Sequence, residues 1–149
     1  MKKTFLSACL IAATVLGVST SFQAYADESN PSIVHRQGTY KVASGHMDSL
    51  KSILFLGGSG DAAYHAQSIK AAWEHMGNAY PEGSDKGETA AKPEIWENMD
   101  DFQAKGKTAY GATVALLEAA QSGDKGATID AFKKLGGSCK ACHKEYRKK

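Results

Sequence analysis

The sequence predicts an all-α chain folded as an antiparallel four-helix bundle, on three observations. Apolar residues recur every seven positions in four separate stretches, most links between those stretches are short, and β-branched runs are few. A sandwich or barrel would need many short alternating strands, and nothing in the pattern supplies them. With 149 residues, 42% of them hydrophobic and 23% charged, the chain suits one domain with a real core and is too apolar for a disordered tail.

Residues 1–26 read as a secretory signal. Lys2 and Lys3 form the positive end, Leu6 to Val18 an apolar stretch, and Ala24-Tyr25-Ala26 an A-x-A cleavage site. Leu6-Ser7-Ala8-Cys9 also resembles a lipoprotein acylation motif, but the apolar run follows the cysteine instead of preceding it. Cleavage leaves 27–149 as one mature domain, exported to the periplasm, with as many basic as acidic residues once Lys2 and Lys3 are gone. That balance excludes a strong pull toward nucleic acid or an anionic membrane.

The first helix is expected from about Ser32 to Leu56, where Ile33, Tyr40, Met47 and Leu54 repeat every seven residues. Gly57-Gly58-Ser59-Gly60 ends it. Asp61 caps a second helix that runs to about Asn78 and buries Ala62, Ile69, Ala72, Trp73 and Met76. A Gly-, Pro- and Ser-rich crossing loop follows, to Lys92. Pro93 suits the first turn of the third helix, on which Ile95, Phe102, Ala109 and Leu116 repeat, with Met99, Thr113 and Ala120 alongside. Ser122-Gly123 closes it and Asp124 caps the fourth, whose stripe is Ile129, Phe132, Leu135, Cys139, Cys142 and Tyr146. Gly136-Gly137 within that helix implies either a close backbone approach to a ligand or another helix, or a local break.

Removal of Cys9 leaves two cysteines, in the string Cys139-Lys140-Ala141-Cys142-His143, the C-x-x-C-H pattern of covalent haem attachment. On a helix these positions are i, i+3 and i+4, so both sulfurs and the imidazole leave one face within a turn. The thiols add to the haem vinyl groups as thioethers, and His143 ligates the iron. A redox C-x-x-C would call for a βαβ setting, and zinc for further ligands near the pair; neither is present in the sequence.

The motif stands near the C-terminus, and this placement resembles the class II c-type cytochromes, in particular the cytochrome c′ family. The resemblance spans the mature chain and rests on Gly137-Ser138-Cys139 through His143 with Tyr146-Arg147, on Lys92-Pro93-Glu94-Ile95-Trp96, and on His35-Arg36-Gln37. It implies a four-helix bundle holding one haem c. It also implies that Arg36 pairs with a haem propionate, that Tyr40 faces the distal side of the iron, and that Arg147 borders the proximal pocket. The plain alternatives are a solvated Arg36, a core Tyr40 and an Arg147 that merely complements the helix dipole.

In this family a methionine at the place of Tyr40 would be a sixth ligand. A neutral phenol, with a pKa of about 10, is a poor one. The resemblance with Tyr40 at that place therefore implies five-coordinate, high-spin iron that binds nitric oxide and carbon monoxide and undergoes one-electron redox, without being an enzyme. The alternative is a six-coordinate electron carrier serving periplasmic redox partners. Met47, Met76 and Met99 are the other thioethers available, each read first as core filling. Peroxidase-like turnover would need a distal acid or base, for which only Arg36 offers itself. Relatives often form homodimers through their first two helices; Phe55 and Leu56 receive no such assignment from the sequence.

Overall fold

The computed structural model describes residues 30–149, and the signal segment with its cleavage site lies outside them. Five helices follow in order: α1 Pro31–Phe55, α2 Ala62–Glu74, α3 Glu94–Glu97, α4 Met99–Gln121 and α5 Lys125–Tyr146. The four long ones form the bundle.

Local chemistry sets most of the boundaries. Asn30 caps α1 by accepting the Ser32 N–H at 3.0 Å, with Pro31 in the first turn, where its missing N–H costs nothing. Asp61 accepts the N–H groups of Ala63 and Tyr64, and Asp124 that of Ala127, so both predicted caps are in place. Gly123 adopts φ +76°, a left-handed conformation that lets the chain reverse between α4 and α5.

Neighbours in the bundle run antiparallel. Tyr40 of α1 meets Trp73 of α2 while His46 meets His65, so one number rises as the other falls. Phe102 near the start of α4 lies 5.3 Å from Tyr146 at the end of α5. Helix α1 packs on α2, α2 on α4, α4 on α5, and α5 more lightly back on α1, which closes the ring. Inside it Leu50, Leu54, Ala66, Ile69, Leu116, Leu117, Ala131 and Leu135 form one buried cluster, and Met47, Trp73 and Cys139 pack against it.

Three expectations are corrected. Helix α2 ends at Glu74 with His75 as its C-cap, not at Asn78, which leaves Met76 in the crossing loop. The third helix is divided at Asn98, whose φ −129° and ψ 48° lie outside the helical region. The Asn98 side chain turns back to the carbonyl of Glu94 at 3.2 Å, the same carbonyl that accepts its backbone N–H at 3.0 Å. The four-residue α3 can thereby turn Ile95 fully inward. Finally, α5 runs unbroken through Gly136 and Gly137, and a Cβ at either would have nothing within 4 Å, so neither a break nor another helix explains them.

Candidate functional site

The attachment motif lies on the last turns of α5 as the spacing requires. Cys139 and Cys142 are free, half-buried thiols. Burial pushes both thiol pKa values up, and the Cys139 charge adds to the shift at Cys142, so both are held as neutral S–H groups. His143 is shifted the other way. Partial burial and the positive charge of Arg147 hold its pKa below the ordinary imidazole value, which favours the neutral ring a metal needs.

Arg147 is the C-cap of α5, its N–H bonded to the His143 carbonyl at 3.1 Å. Arg147 thus ends the helix, and its charge acts on the neighbouring histidine. The tail is fastened to the segment before α3 by the Lys92 N–H on the Tyr146 carbonyl at 3.0 Å and the Lys148 N–H on the Ala90 carbonyl at 2.8 Å. Tyr146 is buried and donates its hydroxyl to the Asp101 carboxylate, which pushes the phenol pKa up to about 12 and orients α5 against α4.

Arg36 and Tyr40 occupy successive turns of α1, and both reach the crossing loop between α2 and α3. Arg36 is only 2% exposed, which removes the reading as a solvated surface arginine. Its Nη1 donates to the Ala79 carbonyl at 3.1 Å and to Ser84 Oγ at 2.9 Å. Its Nη2 donates to the Ser84 carbonyl at 2.6 Å and to Thr89 Oγ1 at 2.9 Å. The guanidinium also lies over the Tyr80 ring, 4.9 Å from its centroid, and 5.8 Å from that of Trp96. A buried cation is tolerable here because four acceptors and two aromatic faces replace water.

Tyr40 is half-buried. Its oxygen accepts a hydrogen bond from Tyr80 at 3.0 Å, and its ring stands edge-on to Trp73 with centroids 5.8 Å apart. Burial, with Tyr80 adding to it, raises the Tyr40 pKa far above that of a free phenol, so no phenolate is available as an anionic ligand.

Sequence reasoning missed Tyr80, Ser84 and Thr89 and placed Trp73 only in the core. The one signal for Tyr80 was an aromatic residue directly before Pro81 in a loop otherwise rich in small and polar residues. Trp73 carries the sharpest anomaly: its Nε1 is buried without a hydrogen-bond partner among the described residues. An orphaned indole N–H costs about 1–3 kcal/mol. An acidic or carbonyl group of a bound molecule beside Tyr40 would relieve it. Two thiols and an imidazole of lowered pKa on one helical turn, with an unpartnered indole N–H packed against the same core cluster as Cys139, fit a covalently held haem. Cys139, Cys142 and His143 would hold it.

Comparison with known proteins agrees. Residues 32–147 match the family model described as cytochrome c′. The chain is 31% identical over 141 residues to cytochrome c′ of Rhodospirillum rubrum, covering 93% of this chain and 96% of the relative. It is 36% identical over 121 residues to cytochrome c-556 of Agrobacterium tumefaciens, covering 76% and 94%. Among solved structures, cytochrome c′ of Thermochromatium tepidum superposes with a TM-score of 0.74 at 32% identity, over 79% of this chain and 95% of that one. A nitric oxide complex of a mutant cytochrome c′ from Alcaligenes xylosoxidans gives 0.72 at 29% identity, over 79% and 94%.

Proposed function

From the premise that the chain belongs to the cytochrome c′ family, whose members carry covalently attached haem c, we propose that it is a periplasmic haemoprotein with an open sixth position that binds nitric oxide and carbon monoxide. Cys139 and Cys142 supply the two thioethers and His143 the proximal nitrogen. Bound there, the haem provides an iron that takes a diatomic ligand or exchanges one electron; the chain's own part is to leave that position free and to shape it.

The observation that carries this reading is Tyr40. Four residues after Arg36 stands a neutral phenol tied to Tyr80, where a methionine would close the iron. Met47 packs on the aliphatic core. The nitric oxide complex of the Alcaligenes relative supports the same ligand here.

For Arg36 the propionate role is proposed in a narrower form. Both terminal nitrogens are engaged by the loop, so a carboxylate would be met by Nε or would share a terminal N–H. Arg147 is assigned to the proximal side, where its charge adds to burial in lowering the His143 pKa. Export is supported by the signal-like residues 1–26, and no helix among the described residues is long and apolar enough to cross a membrane. Val34 and Val42 on α1 and Tyr64 on α2 are exposed, and a structurally similar cytochrome c′ shows ligand-controlled dimer dissociation; together they support a homodimer formed through this face. No catalysed reaction is assigned, and one-electron exchange with periplasmic redox partners remains a property of the same iron.

The deciding experiment is the absorption spectrum of the haem-loaded protein, reduced, before and after carbon monoxide and then nitric oxide. A high-spin ferrous spectrum that changes on adding either gas is expected. A sharp low-spin band unmoved by carbon monoxide would overturn the open site and favour a six-coordinate electron carrier.

A further inference from the structure

We propose that Tyr80, in the loop between α2 and α3, is a positioning residue of the distal pocket: its hydroxyl holds the Tyr40 phenol so that the single Tyr40 proton is left to a diatomic ligand. The proposal rests on the gas-binding reading above and deepens it.

A phenol has one proton to donate and accepts on its oxygen. Tyr80 spends its proton on Tyr40 at 3.0 Å. The two hydroxyls share one bond, and with Tyr80 as its donor the Tyr40 proton is left for a ligand, since no described group other than Tyr80 is bonded to Tyr40; burial keeps both phenols protonated. A hydroxyl that already accepts one hydrogen bond is a better donor in the next, so Tyr80 polarises Tyr40 as well as orienting it.

This arrangement works only if Tyr80 itself is held, and the loop is fixed on every side. Arg36 grips the carbonyls of Ala79 and Ser84, before and after Tyr80 in the chain, and lies on the Tyr80 ring. Phe102 meets that ring edge-on with centroids 4.7 Å apart. Trp96 donates its indole N–H to the Pro81 carbonyl at 3.0 Å. Arg36 and Tyr40, one turn apart on α1, thus meet at a single loop residue. A donor placed in advance costs no reorganisation when the ligand arrives.

The test uses the haem-loaded protein as wild type, Tyr80→Phe, Tyr40→Phe and the double variant. Tyr80→Phe keeps the ring that Arg36 and Phe102 pack against, so it is expected to fold. The readouts are the infrared C–O stretch of the carbon monoxide adduct and its dissociation constant. A donor to bound carbon monoxide lowers that stretch, so Tyr40→Phe should raise it and weaken binding by about fivefold, the worth of one ordinary hydrogen bond. Tyr80→Phe should move both in the same direction by less, and should add nothing once Tyr40 is phenylalanine.

A wild-type stretch in Tyr80→Phe, alongside a raised one in Tyr40→Phe, would overturn the role of Tyr80 and leave gas binding intact. An equal effect of Tyr80→Phe in both backgrounds would also overturn it, because the effect would then not pass through Tyr40. A wild-type protein that forms no carbon monoxide adduct would overturn the gas-binding reading itself, and this one with it. Independently of ligand, the two substitutions should be non-additive in urea unfolding; strict additivity counts against the pair.

Discussion

The two ends of the bundle are built from different materials. Around Leu50, Leu54, Ile69, Leu116, Leu117 and Leu135 the interior is aliphatic, and its cohesion comes from apolar area removed from water. Around Arg36, Tyr40, Tyr80, Trp96, Phe102 and Tyr146 it is aromatic and polar, and the contacts are directional: phenol to phenol, guanidinium to carbonyl, edge to face. The aliphatic end draws on all four long helices, whereas the other recruits a loop and the chain's tail. Non-directional packing tolerates replacement by similar volume, whereas a hydrogen-bonded clamp fixes where individual atoms stand. The haem motif sits where the two meet, since Cys139 packs on the aliphatic cluster and Tyr146, less than two turns on, belongs to the aromatic one.

The largest effect is expected at that junction. Replacing Cys139 and Cys142 together by serine should abolish covalent haem, read as loss of haem staining on a denaturing gel; retained staining would remove the attachment assignment. Next comes the aliphatic end, where Leu116→Ala deletes a side chain with no exposed surface and should cost about 3 kcal/mol in urea unfolding. A loss below about 1 kcal/mol would mean the site collapses around the gap.

Arg36→Met tests the opposite end. It strips the donors from Ala79, Ser84 and Thr89, and roughly 2 kcal/mol should be lost. The sharper signature is local. Hydrogen exchange should accelerate across residues 79–89 while amides near Leu116 keep their protection, and uniform acceleration would refute a separate clamp.

The smallest effect belongs to neither interior. On the outer side of α1 and α2 the Nδ1 atoms of His46 and His65 lie 2.8 Å apart, so one ring donates and the other accepts. Burial, and secondly His65, lower the His46 pKa below 6.5. The unfolded chain therefore takes up this proton first as pH falls. Stability linked to the His46 shift is fully present above about pH 6.5 and is lost as the pH drops toward the lowered folded value. His46→Gln should flatten that decline in melting temperature; an unchanged slope would show that other groups cause it.

The helices were legible because a seven-residue repeat reports a buried face whatever that face packs against. Their ends were less so. Asn98 lies within a pattern that reads as continuous, and the division shows only in its backbone, at φ −129° and ψ 48°. Arg36 was singled out by resemblance as a propionate partner, and its burial was not readable, because its four acceptors lie 43 to 53 residues away in a loop without periodicity. Trp73 could be placed on the core stripe, but an indole N–H without a partner is visible only once its surroundings are assembled.

The sequence by itself determined the chemistry of attachment. Cys139, Cys142 and His143 share a face through the period of the helix alone, a geometry of four or five residues that needs no tertiary contact. Tertiary structure decided what surrounds the α1 face: which loop lies against Arg36 and Tyr40, that Arg36 fastens it, and that Tyr80 stands against Tyr40. These partners are forty residues or more apart. Nothing local brings them together; the packing of four helices does.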